Sequence, residues 1–275
     1  MPTKQLKTAI FCVTYHTYGE LSDFYRSVCR AAERAQGKMK VDFFVADNSE
    51  REIQDINLPS TQNVRPKVFP FHENAGYLGA VQKMMQAIGA DQLEQYDYAA
   101  ISNVDLVMEE DALLRLSEIP LTCQAGWLAP ALLSEQEGRD RNPAVMRRYS
   151  ARRLRLLRLM FRYPLLVAAY RATAYKRHRV PRQAEEGTEC YAGHGSFMLL
   201  TSNYFRLCGI PRFPMFLFGE ELYLAEQCRL HGLSVVYCPS VRIRDREHAS
   251  VSKIPSADKC RYNRESLGYI LQTFY

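Results

Sequence analysis

The sequence predicts an α/β fold with a mostly parallel central sheet and helices on both of its faces. Through residues 1–118, short apolar runs alternate with longer amphipathic ones, the pattern of strand–helix–strand units. Those apolar runs end one after another in polar residues, as strands do when their carboxyl ends form a rim. With 275 residues, 47% of them hydrophobic, the chain has enough apolar material to bury the core of one large or two small domains.

The first strand is read at residues 8–15, "TAIFCVTY", closing on Thr14-Tyr15. A helical pattern over 21–36 stops at Gly37. The second strand, "KVDFFVADNS" (40–49), runs into Asp47-Asn48-Ser49. "PKVFPFHENAGYLGAVQKMMQAIGA" reads as a short strand, a turn containing Asn74 and Gly76, and a helix over 79–88. "YDYAAISNVD" (96–105) is the next strand, closing on Asn103 and Asp105, with a helix over 110–117. Asn, Asp and Gly are ordinary turn residues, but four strand ends alike would converge into one polar cleft. Glu109, Glu110 and Asp111 suit a helix start, whose dipole favours acids, whereas Asp105 lies ahead of it and needs another explanation. The chain lacks G-x-G-x-x-G and G-K-[ST], which disfavours dinucleotide-binding and P-loop folds.

Further along, "FMLL" reads as a strand, "GEELYLAEQCRLHG" as a helix stopped by Gly232, and "SVVYCPSVRI" as another strand. Glu220 and Glu221 sit where the aromatic-rich "FPMFLF" meets the helix; they suit either a dipole-favoured helix start or a chemical site.

Charge is unevenly distributed. Residues 141–182 hold 13 of the 36 Lys and Arg and none of the 30 Asp and Glu, so the formal net charge of +6 hides an acidic remainder. On a helical wheel Arg148, Arg152, Arg155, Arg158 and Arg162 fall within an arc of about 120°, opposite Leu154, Leu156, Leu157, Met160 and Phe161. Arg153 and Leu159 are out of place, and Pro164 should end or kink the helix. Three readings stand: a core-packed helix with solvated arginines, a nucleic-acid patch, or an interfacial helix on anionic lipid. No recognised nucleic-acid module accompanies the segment, so nucleic acid is not expected as a partner.

Eight scattered cysteines without a C-x-x-C pair read as reduced core thiols of a cytosolic protein, not as a zinc site. After the N-terminal "MPTKQLKT", "AIFCV" is too short for an export signal, and no run is long enough to cross a membrane.

Seven pieces in order, "VTYH", "VADNS", "HENAGYLGA", "SNVDLVMEEDALLRL", "GHGSFMLL", "FLFGEELYLAEQCRLHG" and "CPSVRIRDREHAS", resemble the family-2 glycosyltransferases, in particular the bacterial rhamnosyltransferase-like group of cell-surface polysaccharide synthesis such as lipopolysaccharide. The resemblance covers residues 8–140 and 188–252. It implies a GT-A fold, with a nucleotide-sugar-binding half at 1–118, an insertion carrying the basic helix at 119–187, and an acceptor-binding half at 188–275. Asp105 stands on the last acid of the family's DXD motif, with Asn103 at the first position; this implies a divalent cation, Mn²⁺ or Mg²⁺, held by Asp105. His248 stands where the family often has a histidine reaching the same metal or phosphates. Glu221 aligns with the general base of the ED motif, one methylene longer than Asp, with Glu220 as runner-up; Tyr223 replaces another frequent Asp.

Thr14, Tyr15, Asp47, Asn74, Gly76 and Asn103 are the expected contacts to the nucleotide sugar. The implied reaction is inverting transfer from a dTDP- or UDP-sugar to a glycan or polyprenyl-diphosphate-linked acceptor. The expected location is cytoplasmic, on the inner face of the membrane, with Arg152, Arg155, Arg158 and Arg162 toward membrane or acceptor. The alternative is a non-catalytic GT-A-like module that docks on membranes or partner enzymes; a sugar nucleotidyltransferase is disfavoured because "FCVTYHTYG" is not a Gly-rich basic loop.

Overall fold

A computed structural model describes residues 5–51, 56–120, 122–165, 167, 184–246 and 254–275. The chain runs β1 (Leu6–Thr14), α1 (Tyr18–Arg34), β2 (Met39–Asp47), β3 (Val64–Pro70), α2 (Tyr77–Ile88), α3 (Ala90–Leu93), β4 (Tyr98–Ser102), β5 (Leu106–Met108) and α4 (Ala112–Leu116). It continues through β6 (Ala125–Ser134), β7 (Arg139–Asp140), α5 (Ala151–Met160), β8 (Glu189–Cys190), β9 (Phe197–Thr201), α6 (Ser202–Cys208), α7 (Glu220–Leu230), β10 (Ser234–Asp245) and α8 (Ser256–Phe274).

The strands form one sheet in the order β3-β2-β1-β4-β9-β6-β10-β5. β3, β2, β1 and β4 are parallel, β9 is antiparallel to both β4 and β6, and β6 and β10 are again parallel. The mostly parallel α/β fold expected from the strand–helix alternation is therefore the fold observed. Two core clusters line its faces, because successive strand residues point to opposite sides. Ala9 and Phe11 of β1 join Leu78, Met84 and Leu224 on one side, and Ile10 and Cys12 join Phe24, Val28 and Leu113 on the other.

The helix ends differ from expectation by a few residues, as frayed termini usually do. Four strands were not foreseen: the two-residue β7 and β8, and β5 and β6. β5 is the apolar "LVM" directly after Asp105, too short to show alternation; it pairs antiparallel with β10. β6, "AGWLAPALLS", lies within the stretch expected as an insertion, yet it is a central strand between β9 and β10. Pro130 disguises it, since a proline argues against a central strand. The register of β6 against β10 shifts between Cys238 and Arg242, right beside Pro130, so the missing N–H falls at a bulge.

The basic segment also differs from its wheel. Helix α5 begins at Ala151, with the Ser150 hydroxyl accepting the Arg153 N–H at 3.2 Å as an N-cap. It packs along α8. Leu154 is buried and Leu157 and Phe161 lean on the core, but Leu156 and Leu159 face solvent, because the core takes a narrower stripe than the wheel allotted. Arg148 precedes the helix and turns inward instead. Its guanidinium meets the fully buried Glu226 carboxylate at 2.6 and 3.2 Å.

Candidate active site

The carboxyl ends of β1, β2, β3 and β4 lie side by side. Thr14 is in register with Asp47, Asp47 with Pro70, and Cys12 with Ser102. Each loop leaving this edge carries predicted site residues, so the structure gathers them on one rim. The three non-glycine residues with positive φ among the described ones are His16, His72 and Phe218. They follow β1, follow β3 and precede α7, all at this edge. Such backbone is retained where the surroundings enforce it, commonly at functional sites.

Asp47 is buried and held from two sides: Oδ1 accepts the Ser49 N–H at 3.0 Å and Oδ2 accepts the Tyr18 hydroxyl at 3.2 Å. Thr14 and Thr17 share a hydroxyl–hydroxyl hydrogen bond of 3.0 Å beneath it. The Tyr15 hydroxyl donates to Glu50 at the cleft's mouth. Asn74 Oδ1 accepts from the Gly76 N–H at 3.1 Å and from Asn48 Nδ2 at 3.3 Å, and Asn48 Nδ2 also reaches the Gly76 carbonyl. Asn74 and Gly76 thus shape the turn into α2. Gly76 has φ +76°, and a Cβ there would overlap the Phe216 carbonyl oxygen, so only glycine lets the two backbones approach.

At the end of β4 the Asn103 N–H donates to the Ser196 carbonyl at 2.9 Å. Asp105 is buried, and its main-chain oxygen accepts the Arg246 N–H at 3.0 Å. Across the cleft, Phe218 (φ 70°) and Gly219 (φ 83°) make two successive left-handed residues that turn the chain sharply into α7. Glu220 and Glu221 occupy its first turn. Glu220 is buried, and its Oε1 has no hydrogen-bond partner among the described residues. Burial first, and the neighbouring Glu221 charge second, push its carboxyl up to about 8. Burial also raises the Glu221 carboxyl, while its own backbone N–H opposes the shift. Glu221 Oε2 lies close to Gly195, where an added Cβ would stand 3.4 Å away.

Tyr77 ties the two sides together, and sequence reasoning missed it. Its N–H donates to the Phe216 carbonyl at 3.2 Å and its hydroxyl to the Gly195 carbonyl at 3.2 Å. Burial raises its hydroxyl pKa, followed by the charges of Glu220, Cys12 and Asp105, so both acids lie within electrostatic reach of one phenol. An aromatic directly after Gly76 was the available signal, but nothing in a sequence says which way the first residue of a helix points. Tyr18, which orients Asp47, was missed for the same reason.

Among the described residues no three His, Cys, Asp or Glu side chains cluster closely enough to hold a metal ion. Asp105 alone suits a cation that arrives with a diphosphate, since Mg²⁺ usually takes one or two carboxylates and completes its shell with phosphate and water. His248 lies outside the described residues. Arg152, Arg155, Arg158 and Arg162 are not on the rim; they lie on or just beyond α5, which packs on α8. A separate cavity of about 360 Å³ opens among Lys7, Lys40, Asp42, Arg65 and Tyr96, at the opposite ends of the strands, and none of the rim residues lines it.

The sheet order and the rim define a GT-A glycosyltransferase fold. Three solved structures share it. GalNAc-T7 with UDP, GalNAc and Mn²⁺ has a TM-score of 0.55 at 12% identity, over 90% of this chain and 44% of its own. The mannosyltransferase PcManGT from Pyrobaculum calidifontis, with GDP-Man and Mn²⁺, has a TM-score of 0.51 at 11% identity, over 98% and 71%. S. aureus TarS has a TM-score of 0.51 at 9% identity, over 88% and 37%. The chain therefore spans less than half the length of GalNAc-T7 and of TarS. No family model matches the sequence, and no curated protein matches it. No described helix is long and apolar enough to cross a membrane.

Proposed function

We propose that this chain is an inverting glycosyltransferase that moves a hexose or deoxyhexose from a nucleotide-diphosphate sugar to a glycan or polyprenyl-diphosphate-linked acceptor. The observation that supports the reading is the gathering of Asp105 and Glu220 within electrostatic reach of Tyr77, whose main chain holds the loop that leads into Glu220 and Glu221. UDP and GDP-Man beside Mn²⁺ in the structurally similar transferases support a nucleotide donor and a divalent cation. The family resemblance favours dTDP or UDP as the carrier and cell-surface polysaccharide as the pathway, at the inner face of the cytoplasmic membrane.

In this mechanism Asp47, fixed by Ser49 and Tyr18, accepts hydrogen bonds from the nucleoside, and Thr14 lines the floor beside it. Asp105 would hold the cation, which when bound supplies Lewis-acid stabilisation of the departing diphosphate. Glu221 takes the proton of the acceptor hydroxyl as that oxygen attacks the anomeric carbon, and its raised pKa makes it a better base than an ordinary carboxylate. Glu220, protonated at neutral pH, leaves the pair with a single negative charge.

The test is a thermal-shift series with UDP, dTDP, GDP and CDP, each with and without Mn²⁺, on the wild type and Asp105→Ala. A ligand at 100 times its dissociation constant adds about 2.7 kcal/mol of stability. One nucleotide that stabilises the wild type only with Mn²⁺, and fails in the variant, is the expected result. No shift with any nucleotide rejects the donor reading and favours the non-catalytic docking module.

A further inference from the structure

The core takes only one stripe of α5, through Leu154, Leu157 and Phe161. Large apolar side chains remain on the other side: Leu156 is 59% exposed, Leu159 54%, and in the turn that follows Tyr163 is 50% and Leu165 84% exposed. Residues 152, 156 and 159 are spaced by four and three within α5, so Arg152, Leu156 and Leu159 form one outward ridge, and Tyr163 is exposed in the turn that follows. Arg155 lies one turn before Leu159, and Arg162 follows three residues after it, just beyond the helix. None of Arg152, Arg155, Arg158 and Arg162 forms an ion pair with a described residue. Isolated exposed leucines are ordinary, but exposed leucines and a tyrosine bordered by arginines with no ion pair to a described residue are not.

We infer that this ridge is a membrane-docking surface: Leu156, Leu159, Tyr163 and Leu165 enter the interface of an anionic bilayer while Arg152, Arg155 and Arg162 meet its headgroup phosphates. Charge complementarity selects the occupant. The described residues 151–165 carry Arg152, Arg153, Arg155, Arg158 and Arg162 and no acid, so a second copy set against this face would oppose like charges. A nucleic acid would satisfy the arginines but leave the leucines in water. An anionic lipid surface satisfies both, since tyrosine and arginine sit at the headgroup level and leucine beneath it.

The position of α5 gives the docking a consequence. The Arg158 guanidinium lies against α8 at Gly268, where an added Cβ would meet it at 3.3 Å. Another face of α8 holds the loop that precedes Glu220. Phe213 meets Tyr269 at 5.5 Å between ring centroids, Phe216 meets Tyr262 at 5.0 Å, and Ser266 Oγ donates to the Leu217 carbonyl at 3.1 Å. One helix thus separates the lipid-facing ridge from the loop that carries the proposed base. That the docked protein offers its cleft to a lipid-linked acceptor rests on the transferase reading; the docking itself rests on α5.

The experiment is co-sedimentation of the full chain, without donor or metal, with vesicles of phosphatidylcholine alone or mixed with phosphatidylglycerol. The variants are Leu156→Ser/Leu159→Ser/Tyr163→Ser and Arg152→Glu/Arg155→Glu, each matched to the wild type by circular dichroism and melting temperature. Leu156→Gln/Leu159→Gln replaces the triple variant if that one does not fold. The wild type is expected to bind the anionic vesicles at least tenfold better than the neutral ones, and both variants are expected to lose about tenfold or more. Apolar variants that bind as the wild type does, or equal binding to neutral vesicles, overturn the inference. So does tight binding to a duplex oligonucleotide with none to vesicles. Because nucleotide-induced stabilisation is read separately, vesicle binding can stand if the donor reading falls, and the reverse.

Discussion

The main-chain N–H of Tyr77 donates to the carbonyl oxygen of Phe216 at 3.2 Å, and this single bond joins the first helix residue after the β3 loop to the loop before Glu220. Residues 139 positions apart are held at backbone contact because position 76 has no side chain. This seam holds the loop that leads into Glu220 and Glu221 against the turn into α2.

Gly76→Ala should open the seam. The new Cβ overlaps the Phe216 carbonyl and the residue keeps a positive φ. The expected cost is about 2 kcal/mol or more in chemical denaturation, with a parallel loss of nucleotide-induced stabilisation. Unchanged stability would mean that the loops do not meet.

Glu221→Gln should retain nucleotide binding and lose turnover by about 10²–10⁴, the usual contribution of a general base. The acidic limb of the wild-type pH–rate profile should lie above the ordinary carboxylate range, because burial raises the Glu221 carboxyl. Turnover within a few-fold of the wild type would remove Glu221 from the mechanism and leave Glu220 as the candidate.

Glu220 makes stability depend on pH in a defined direction. Its carboxyl titrates near 4.5 when solvated and at about 8 in the fold. The folded chain keeps a proton that the unfolded chain releases between those values. The associated stability is complete below pH 4.5 and is lost as pH rises to about 8. Glu220→Gln should therefore melt several degrees above the wild type at pH 8.5, a difference of a few kcal/mol, and no higher at pH 4. Equal melting curves at both pH values would show that Glu220 is solvated.

Arg148→Ala should destabilise by about 3 kcal/mol, since it strips a partner from a buried carboxylate. Burial raises the Glu226 carboxyl, but hydrogen bonds from Arg148, Tyr191 and Arg229 outweigh it and the pKa is lowered. That stability is present above the ordinary carboxylate range and fades as pH falls through the lowered value. The gap between Arg148→Ala and the wild type, followed by urea unfolding, should be widest at neutral pH and narrow in acid.

Most of the sheet was legible because β1, β2 and β4 are continuous apolar runs that end in polar turns, a pattern local to each strand. The rim could be read for the same reason: Thr14, Asp47, Asn103 and Asp105 each sit at the end of a visible strand. β6 was hidden because its proline is tolerated only by a bulge in a partner about a hundred residues away. Tyr77 and Tyr18 were hidden because hydroxyls choose partners by direction in space, and sequence spacing carries no direction between elements.

The sequence by itself determined the alternation of strands and helices, the polar rim, the acids Asp105, Glu220 and Glu221, and the concentration of positive charge in one segment. The alternation, the rim and the charge follow from periodicity and composition along the chain, whereas the three acids were singled out by the family resemblance. Only the tertiary structure decided that Arg148 neutralises a buried carboxylate while Leu156 and Leu159 face water, and that Tyr77 bonds to the Phe216 and Gly195 carbonyls. Burial and pairing depend on which helix packs on which, and that is set by the sum of long-range contacts.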